Sequence, residues 1–285
     1  MKTGDKEKIR KAVRESYGKI ANAGNDASSM LQMISCCGAS ETSDRTSLAD
    51  LCCGEPDLTP ERLSTLMGYT QEDMESIPDG ANMGLGCGNP VALASLKEGE
   101  TVVDLGCGGG LDCFLAAKQV GATGQVIGVD MTPEMVSKAR KNAEKAGIKH
   151  VDFRLGEIEH LPVADNSADI IMSNCVINLS PDKLSVFREA FRVLKPAGRL
   201  AVSDIQATAP LPDEVRTNLA LIAACVGGAA TIETTEKLLK EAGFNEIKIT
   251  PHDASRELIR EWDPGKSENA VDYIVSAYIE AVKPC

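Results

Sequence analysis

From residue 101 onward the chain alternates short runs of β-branched apolar residues with longer stretches of helical periodicity. Strands are predicted near 101–105, 125–130, 151–155, 168–173 and 199–204, and helices near 112–121, 133–146, 181–194 and 213–225. Thr132-Pro133-Glu134 and Ser180-Pro181-Asp182 read as helix starts, with proline at the first helical position. Strands alternating with helices predict an α/β, doubly wound, Rossmann-like parallel sheet. Beyond it, 235–242 reads as helix, while 246–250 and 273–282 alternate as an antiparallel pair. That pair would complete a seven-stranded, mostly parallel sheet. Ahead of residue 101 the pattern differs. Ile9, Val13, Tyr17 and Ile20 fall at helical spacing within 6–20. Residues 21–57 are rich in Gly, Ser, Asn and Asp and read as a loop or mobile arm, with the words Ser35-Cys36-Cys37-Gly38 and Leu51-Cys52-Cys53-Gly54. Thr59-Pro60-Glu61 looks like another helix start, and a glycine-rich stretch at 77–90 leads into a short helix at 91–96.

Charge and cysteine usage narrow the classes. The 285 residues carry 30 basic and 42 acidic side chains, a net charge of −12. With no basic run, the chain is a poor match for nucleic acid or an anionic membrane. Residues 1–8 lack the apolar core of a secretory signal, and the weakly polar run 219–230 is too short to span a bilayer. The expectation is a cytoplasmic protein with no membrane or nucleic-acid partner. Ten cysteines in a reducing compartment point to metal-binding or catalytic thiols rather than a disulfide framework.

The most informative stretch is Val102-Val103-Asp104-Leu105-Gly106-Cys107-Gly108-Gly109-Gly110-Leu111-Asp112, a strand, a tight turn and a helix start. Such turns sit where open α/β sheets bind cofactors, and glycine lets backbone approach a ligand. The third glycine falls at Gly110 and position 111 is Leu, so the dinucleotide fingerprint fails, and no G-K-[ST] marks a P-loop. The second strand ends in Asp130, whose carboxylate can accept from both hydroxyls of a ribose. The D-L-G-C-G-G-G word resembles motif I of class I S-adenosylmethionine (SAM) methyltransferases. That resemblance implies SAM as cofactor, with Gly106, Cys107, Gly108 and Gly110 forming the turn at its methionine moiety and Asp104 supporting the loop. It also implies Asp130 on the ribose, Met131 against the adenine, Glu157 and Ile158 flanking the adenine, and Asn174 near the methionine end. Glu157 also reads as a solvated loop charge.

The cysteines divide by setting. Cys175 follows the fourth strand, on the same edge as the glycine turn, and reads equally as a reactive thiol or a small buried hydrophobe. Cys225, at a helix end before Gly227-Gly228, reads by itself as core. Cys87 lies in a glycine-rich loop poorly suited to burial, and Cys36, Cys37, Cys52 and Cys53 lie in the polar arm. Soft thiolates select soft metals and metalloids, and adjacent pairs do not fit the spacing of structural zinc. Cys107 and Cys113 read as structural parts of the turn and helix, and Cys285 as a tail residue. The three histidines, His150, His160 and His252, fall in no motif.

Asn82-Met83-Gly84-Leu85-Gly86-Cys87-Gly88-Asn89-Pro90, Asp104-Leu105-Gly106-Cys107-Gly108, Val129-Asp130-Met131-Thr132, Gly156-Glu157-Ile158-Glu159 and the word from Ser173 through Cys175 to Lys183 together resemble arsenite SAM methyltransferases, from about residue 8 to the end. The resemblance implies that Cys175 and Cys225 bind trivalent arsenic, with Cys87 as third ligand or redox partner. The arm departs from the family by offering two adjacent cysteine pairs, and position 85 is Leu where some members have tyrosine. Further implications are an N-terminal helix and Cys-rich arm (1–80), a SAM-binding core (81–206) and a C-terminal substrate-binding region (207–285). The expected reaction is attack of the arsenic lone pair, in arsenite or its thiol conjugates, on the SAM methyl, with no general base. Cys36, Cys37, Cys52 and Cys53 are redox candidates, regenerated by thioredoxin or glutathione, in a monomeric detoxification enzyme. The alternatives are a methyltransferase of a small organic acceptor, in which Cys175 and Cys225 are dispensable, and a non-catalytic metalloid binder.

Overall fold

The computed structural model describes residues 3–23, 59–252 and 273–285. The two C-C-G words, and with them Cys36, Cys37, Cys52 and Cys53, lie outside the described residues.

Among the described residues eight strands form one sheet: β1 (Thr101–Leu105), β2 (Gln125–Asp130), β3 (Val151–Leu155), β4 (Ala168–Asn174), β5 (Leu194–Ala207), β6 (Ala230–Thr231), β7 (Asn245–His252) and β8 (Ile274–Val282). The order is β3-β2-β1-β4-β5-β8-β7, with β6 beside β5 off that path. Pairing is parallel from β3 to β5, and β8 runs antiparallel to both β5 and β7. In register, Val103 lies between Ile127 and Ile171. The central strands are apolar on both faces, as a parallel sheet covered on both sides requires, and Val102, Val103, Leu105, Ile170, Ile171 and Met172 are all fully buried.

The helices are α1 (Thr3–Ala23), α2 (Pro60–Leu66), α3 (Gln71–Glu75), α4 (Pro90–Ala94), α5 (Leu111–Val120), α6 (Pro133–Ala146), α7 (Lys183–Val193), α8 (Asp213–Thr217), α9 (Leu219–Ala223) and α10 (Ile232–Ala242). One face of the sheet is covered by α5 and α6 through Phe114, Val120, Val136 and Ala139. The other is covered by α7 and α10 through Val186, Phe187 and Leu239. Among the described residues no helix is long and apolar enough to cross a membrane.

The elements differ from expectation in several places. α7 starts at Lys183, capped by Asp182, which accepts from Ser185 N–H at 3.2 Å, so Pro181 precedes the cap instead of holding the first helical position, and β5 runs over Leu194–Ala207, beyond the expected 199–204. The helix predicted over 213–225 is two helices, because Asn218 ends the first and caps the second, its Oδ1 accepting from the N–H groups of Ala220 (2.9 Å) and Leu221 (3.3 Å). Thr231 starts α10 three residues earlier than 235 by capping Thr234 N–H. The two-residue β6 had no periodicity to betray it. Gln71–Glu75 is a helix that the apolar pattern does not mark, set instead by a capping box between Thr70 and Asp73.

The carboxyl ends of β1, β2 and β4 share one edge, and α1 crosses the loops there. Gly18 lies against the Glu134 carboxylate, where an added Cβ would sit 3.3 Å from Oε2. Arg10 pairs with Glu157 and Glu159 after β3, and Lys6 Nζ is 2.6 Å from Asp182 Oδ2 after β4. The Tyr17 hydroxyl donates to the Ala223 carbonyl at 3.3 Å.

Candidate functional site

The glycine turn is fixed from β2. The N–H groups of Gly106 and Cys107 donate to Val129 O at 2.7 and 3.1 Å. Gly108 N–H donates to Asp130 Oδ2 at 3.0 Å, and Thr132 N–H to Oδ1 at 2.8 Å. The three turn glycines are required for different reasons. At Gly108 (φ 51°) nothing lies within 4 Å of where a Cβ would stand, so bare backbone faces open space beside Asp130. At Gly106 a Cβ would lie 2.3 Å from Val176 Cγ2, and at Gly110 2.7 Å from Phe114 Cε2, so these two serve packing. Bare backbone next to a carboxylate with lone pairs to spare fits a ligand carrying a ribose diol. Burial raises the Asp130 carboxyl above its usual range. Asp104 and Cys107 are buried, and the Cys113 thiol donates to Asp104 Oδ2 at 3.2 Å. Ile158 is buried and Met131 packs against the apolar cluster that contains the thiols. Glu157 is no free loop charge: Arg10 and Arg14 approach its carboxylate at 3.3 and 3.5 Å.

Cys87, Cys175 and Cys225 come from three segments into one buried cluster that also holds Ile9 and Val13 of α1. Cys87, expected on an open loop, is buried. Gly86 and Gly88 allow this, because a Cβ at Gly88 would lie 2.3 Å from Ser203 Oγ. The loop is then pinned by Cys87 N–H donating to Asn174 Oδ1 (3.0 Å) and Ser276 Oγ donating to Cys87 O (2.7 Å). Cys175 N–H donates to Ser203 O (2.8 Å), and Cys225 Sγ donates to Cys175 O (2.9 Å). Cys175 (φ 56°) and Cys225 (φ 63°) both occupy the left-handed backbone region, which costs a non-glycine residue about 1–3 kcal/mol and persists where the surroundings impose it. Here they do: a Cβ on Gly228 would fall 2.0 Å from Asn178 O, so the Cys225 loop sits directly on the turn that follows Cys175.

Asp204 joins them. A carboxylate oxygen of Asp204 and the Sγ atoms of Cys87 and Cys175 all lie within 4.8 Å of one another. The neighbouring Cys225 and Cys87 thiols, together with burial, hold the Cys175 thiol well above its usual range, so it is protonated at neutral pH. Burial lifts Asp204 to about 6, against the pull of the Ile205 N–H and the Lys183 ammonium. Burial lowers Lys183 to about 8, offset by Asp204, Cys225 and Glu159. The Tyr17 phenol is raised by burial and by the thiols of Cys225 and Cys175. Tyr17, Lys183 and Asp204 carry no motif signal beyond helix periodicity and the word around Cys175.

Asn174, expected beside the methionine end of a cofactor, also ties the Cys87 loop to α5. The two hydrogens of its Nδ2 are shared among Gly88 O (2.8 Å), the Tyr69 hydroxyl (2.9 Å) and Asp112 Oδ2 (3.2 Å), and Tyr69 donates to Asp112 Oδ1 at 2.6 Å. Tyr69 has no sequence signature, and Asp112 reads as an ordinary first-turn acid. Burial raises Asp112 to about 6, opposed by hydrogen bonds from Tyr69 and Asn174. An ordinary aspartate titrates near 3.9, so between about pH 4 and 6 the native state holds a proton the unfolded chain has released. The resulting stability is complete below about pH 4 and lost as pH rises through about 6. Asp112→Asn has no such titration. It should therefore destabilise the protein more at pH 4 than at pH 7, by up to about 3 kcal/mol, as read from urea unfolding of both proteins at both pH values.

A methyltransferase domain family matches residues 96–243. An arsenite methyltransferase of Halobacterium salinarum is 49% identical over 98% of this chain and 68% of its own length. One of Aquipseudomonas alcaligenes is 38% identical over 85% of this chain and 63% of its own. The human arsenite methyltransferase is 41% identical over 56% of this chain and 44% of its own length, so the chain spans between about half and two thirds of these relatives. The crystal structure of an arsenic(III) S-adenosylmethionine methyltransferase from Chlamydomonas reinhardtii superposes with a TM-score of 0.55 at 34% identity, covering 78% of this chain and 72% of that one.

Proposed function

The chain belongs to the arsenite methyltransferase family, and on that premise we propose that Cys87, Cys175 and Cys225 hold trivalent arsenic as substrate beside the cofactor turn. The observation that carries this reading is the burial of three thiols from separate segments in one cluster. Arsenic(III) forms pyramidal complexes with three thiolates, and soft sulfur donors favour it. Proton balance needs no dedicated base. Each thiol proton leaves with an arsenic hydroxyl as water, which suits a protonated Cys175. The chain's contribution is chelation and alignment, held by the left-handed backbone at Cys175 and Cys225, and effects of this kind supply about 7–11 kcal/mol in favourable cases.

The cofactor is S-adenosylmethionine. The turn from Gly106 to Gly110, with Asp130, Met131 and Ile158, would hold it, and when bound it supplies an electrophilic methyl whose acceptance leaves arsenic formally pentavalent. Glu157, engaged by Arg10 and Arg14, would contribute by fixing α1 across this edge, and α1 with Ile9 and Val13 excludes water from the thiols. Residues 207–285 supply Cys225 and would act as the substrate-binding region, 81–206 as the cofactor-binding core, and 1–80 as the covering helix and arm. Electrons to restore trivalent arsenic would come from Cys36, Cys37, Cys52 and Cys53, recharged by thioredoxin or glutathione.

The test is incubation with arsenite, SAM and excess thiol, with arsenic species separated by chromatography and detected by mass. Methylated arsenic that forms only with SAM is expected. Normal SAM binding without methylated arsenic would return the thiols to a packing role and favour an organic acceptor.

A further inference from the structure

We propose that Cys87, Cys175 and Asp204 form a site for a thiophilic divalent cation of the zinc type, which competes with arsenic for two of the same thiols. The site stands on its own geometry, and only the competition rests on the arsenic reading above.

The donor set is the first observation. Two sulfurs and a carboxylate oxygen, all on buried residues, lie within 4.8 Å of one another. A tetrahedral cation with metal–sulfur distances of about 2.3 Å and a metal–oxygen distance of about 2.1 Å needs sulfurs roughly 3.8 Å apart and sulfur–oxygen pairs near 3.6 Å. Both fall inside the observed limit. The second observation is how Asp204 is held. It accepts from Asn178 N–H (3.2 Å), Asn178 Nδ2 (2.9 Å) and its neighbour Ile205 N–H (2.8 Å), as an outer shell orients a ligating carboxylate. The third is charge. Arsenic(III) with three thiolates is already neutral and has no use for a carboxylate. A divalent cation with two thiolates and Asp204 carries one negative charge, which the Lys183 ammonium acting on Asp204 offsets. Asp204 is therefore the group that separates the two ligands: redundant for arsenic, a ligand for the cation.

Cobalt(II) is the probe, added to the reduced full chain without oxygen. The expected spectrum is that of tetrahedral cobalt with sulfur-to-cobalt charge transfer, bleached when arsenite is added. Asp204→Asn should weaken cobalt binding at least tenfold and arsenite binding by a clearly smaller factor. Because that variant puts an NH2 group where one carboxylate oxygen accepts from Asn178 N–H, cadmium X-ray absorption of the wild-type protein serves as a second reading and should show oxygen beside two or three sulfurs. A cobalt spectrum that survives Cys175→Ser, or an all-sulfur cadmium shell, would overturn the site. Cobalt held through Asp204 but not displaced by arsenite would overturn the competition. Whether arsenite is methylated is read separately from the products, so the two failures are distinguishable.

Discussion

Cys175→Ser and Cys225→Ser are each expected to lower arsenite methylation by at least about a thousandfold, equivalent to about 4 kcal/mol of transition-state stabilisation, while SAM binding stays within about twofold of wild type. Serine keeps the shape of the side chain, and at position 225 its hydroxyl can still donate to the carbonyl of residue 175, as the thiol does. What it lacks is a soft donor, and a hydroxyl does not replace thiolate on arsenic. On the proposed three-thiol binding, losing one ligand also leaves a two-point hold that no longer fixes the direction of the lone pair. The cofactor turn does not depend on either sulfur, since Gly108 and Asp130 are tied to each other and to Thr132. Product chromatography and equilibrium dialysis of SAM on the same preparations check both halves. Methylation retained in either variant would remove that cysteine from the arsenic site.

Gly228→Ala should separate the two loops that carry Cys175 and Cys225 without touching a thiol. The new Cβ would fall 2.0 Å from Asn178 O and 3.0 Å from the Asn178 carbonyl carbon, where only backbone movement can make room. Overpacking of this kind costs about 1–3 kcal/mol, and a clash with backbone belongs at or above the upper end. The loop carrying Cys225 has to retreat from the turn after Cys175, so the Cys225 thiol loses its bond to Cys175 O. The expected result is arsenite affinity down at least tenfold with SAM affinity little changed, and a melting temperature lower by roughly 6–12 °C for about 3 kcal/mol in a chain of this size. An unchanged arsenite affinity with a lowered melting temperature would show that Gly228 serves packing alone.

The core of the fold was legible because its first strands are apolar runs leading into a glycine or an acid, at Gly106 and Asp130, and because helical periodicity follows each of them, with a proline start at Pro133. The register of β1, β2 and β4 was not legible, because residues such as Val103 and Ile171, paired in the sheet, belong to strands that are apolar on both faces, where a slip exposes no polar side chain to the core. The site was legible only as words. The words at Cys87 and Cys175 helped carry the resemblance, which in turn implied Cys225, yet burial of Cys87 was unreadable, because it depends on Ser203 and Asn174 more than eighty residues away receiving a glycine-flanked loop. Tyr17 read as one apolar position of a helix, and nothing local says that its hydroxyl would reach the last carbonyl of α9, two residues before Cys225. Asp204 sits in a strand and looks like any polar interruption, and its partner Asn178 lies in a different word. The break at Asn218 was missed because apolar periodicity continues through it while the cap does not need periodicity.

The place of β8 has a consequence in time. It lies between β5 and β7, and it is made after both. During synthesis the outer edge of β5, a row of unpaired peptide groups along a largely buried strand, waits from residue 207 until residue 282 has emerged, roughly 4–15 s at 5–20 residues per second. For that interval the nascent chain carries an open apolar edge able to pair with another copy of itself. The strand that closes the sheet is thus also the one that ends the period of aggregation risk, and slowing translation after residue 207 should cost yield of folded protein before it costs anything in the finished molecule.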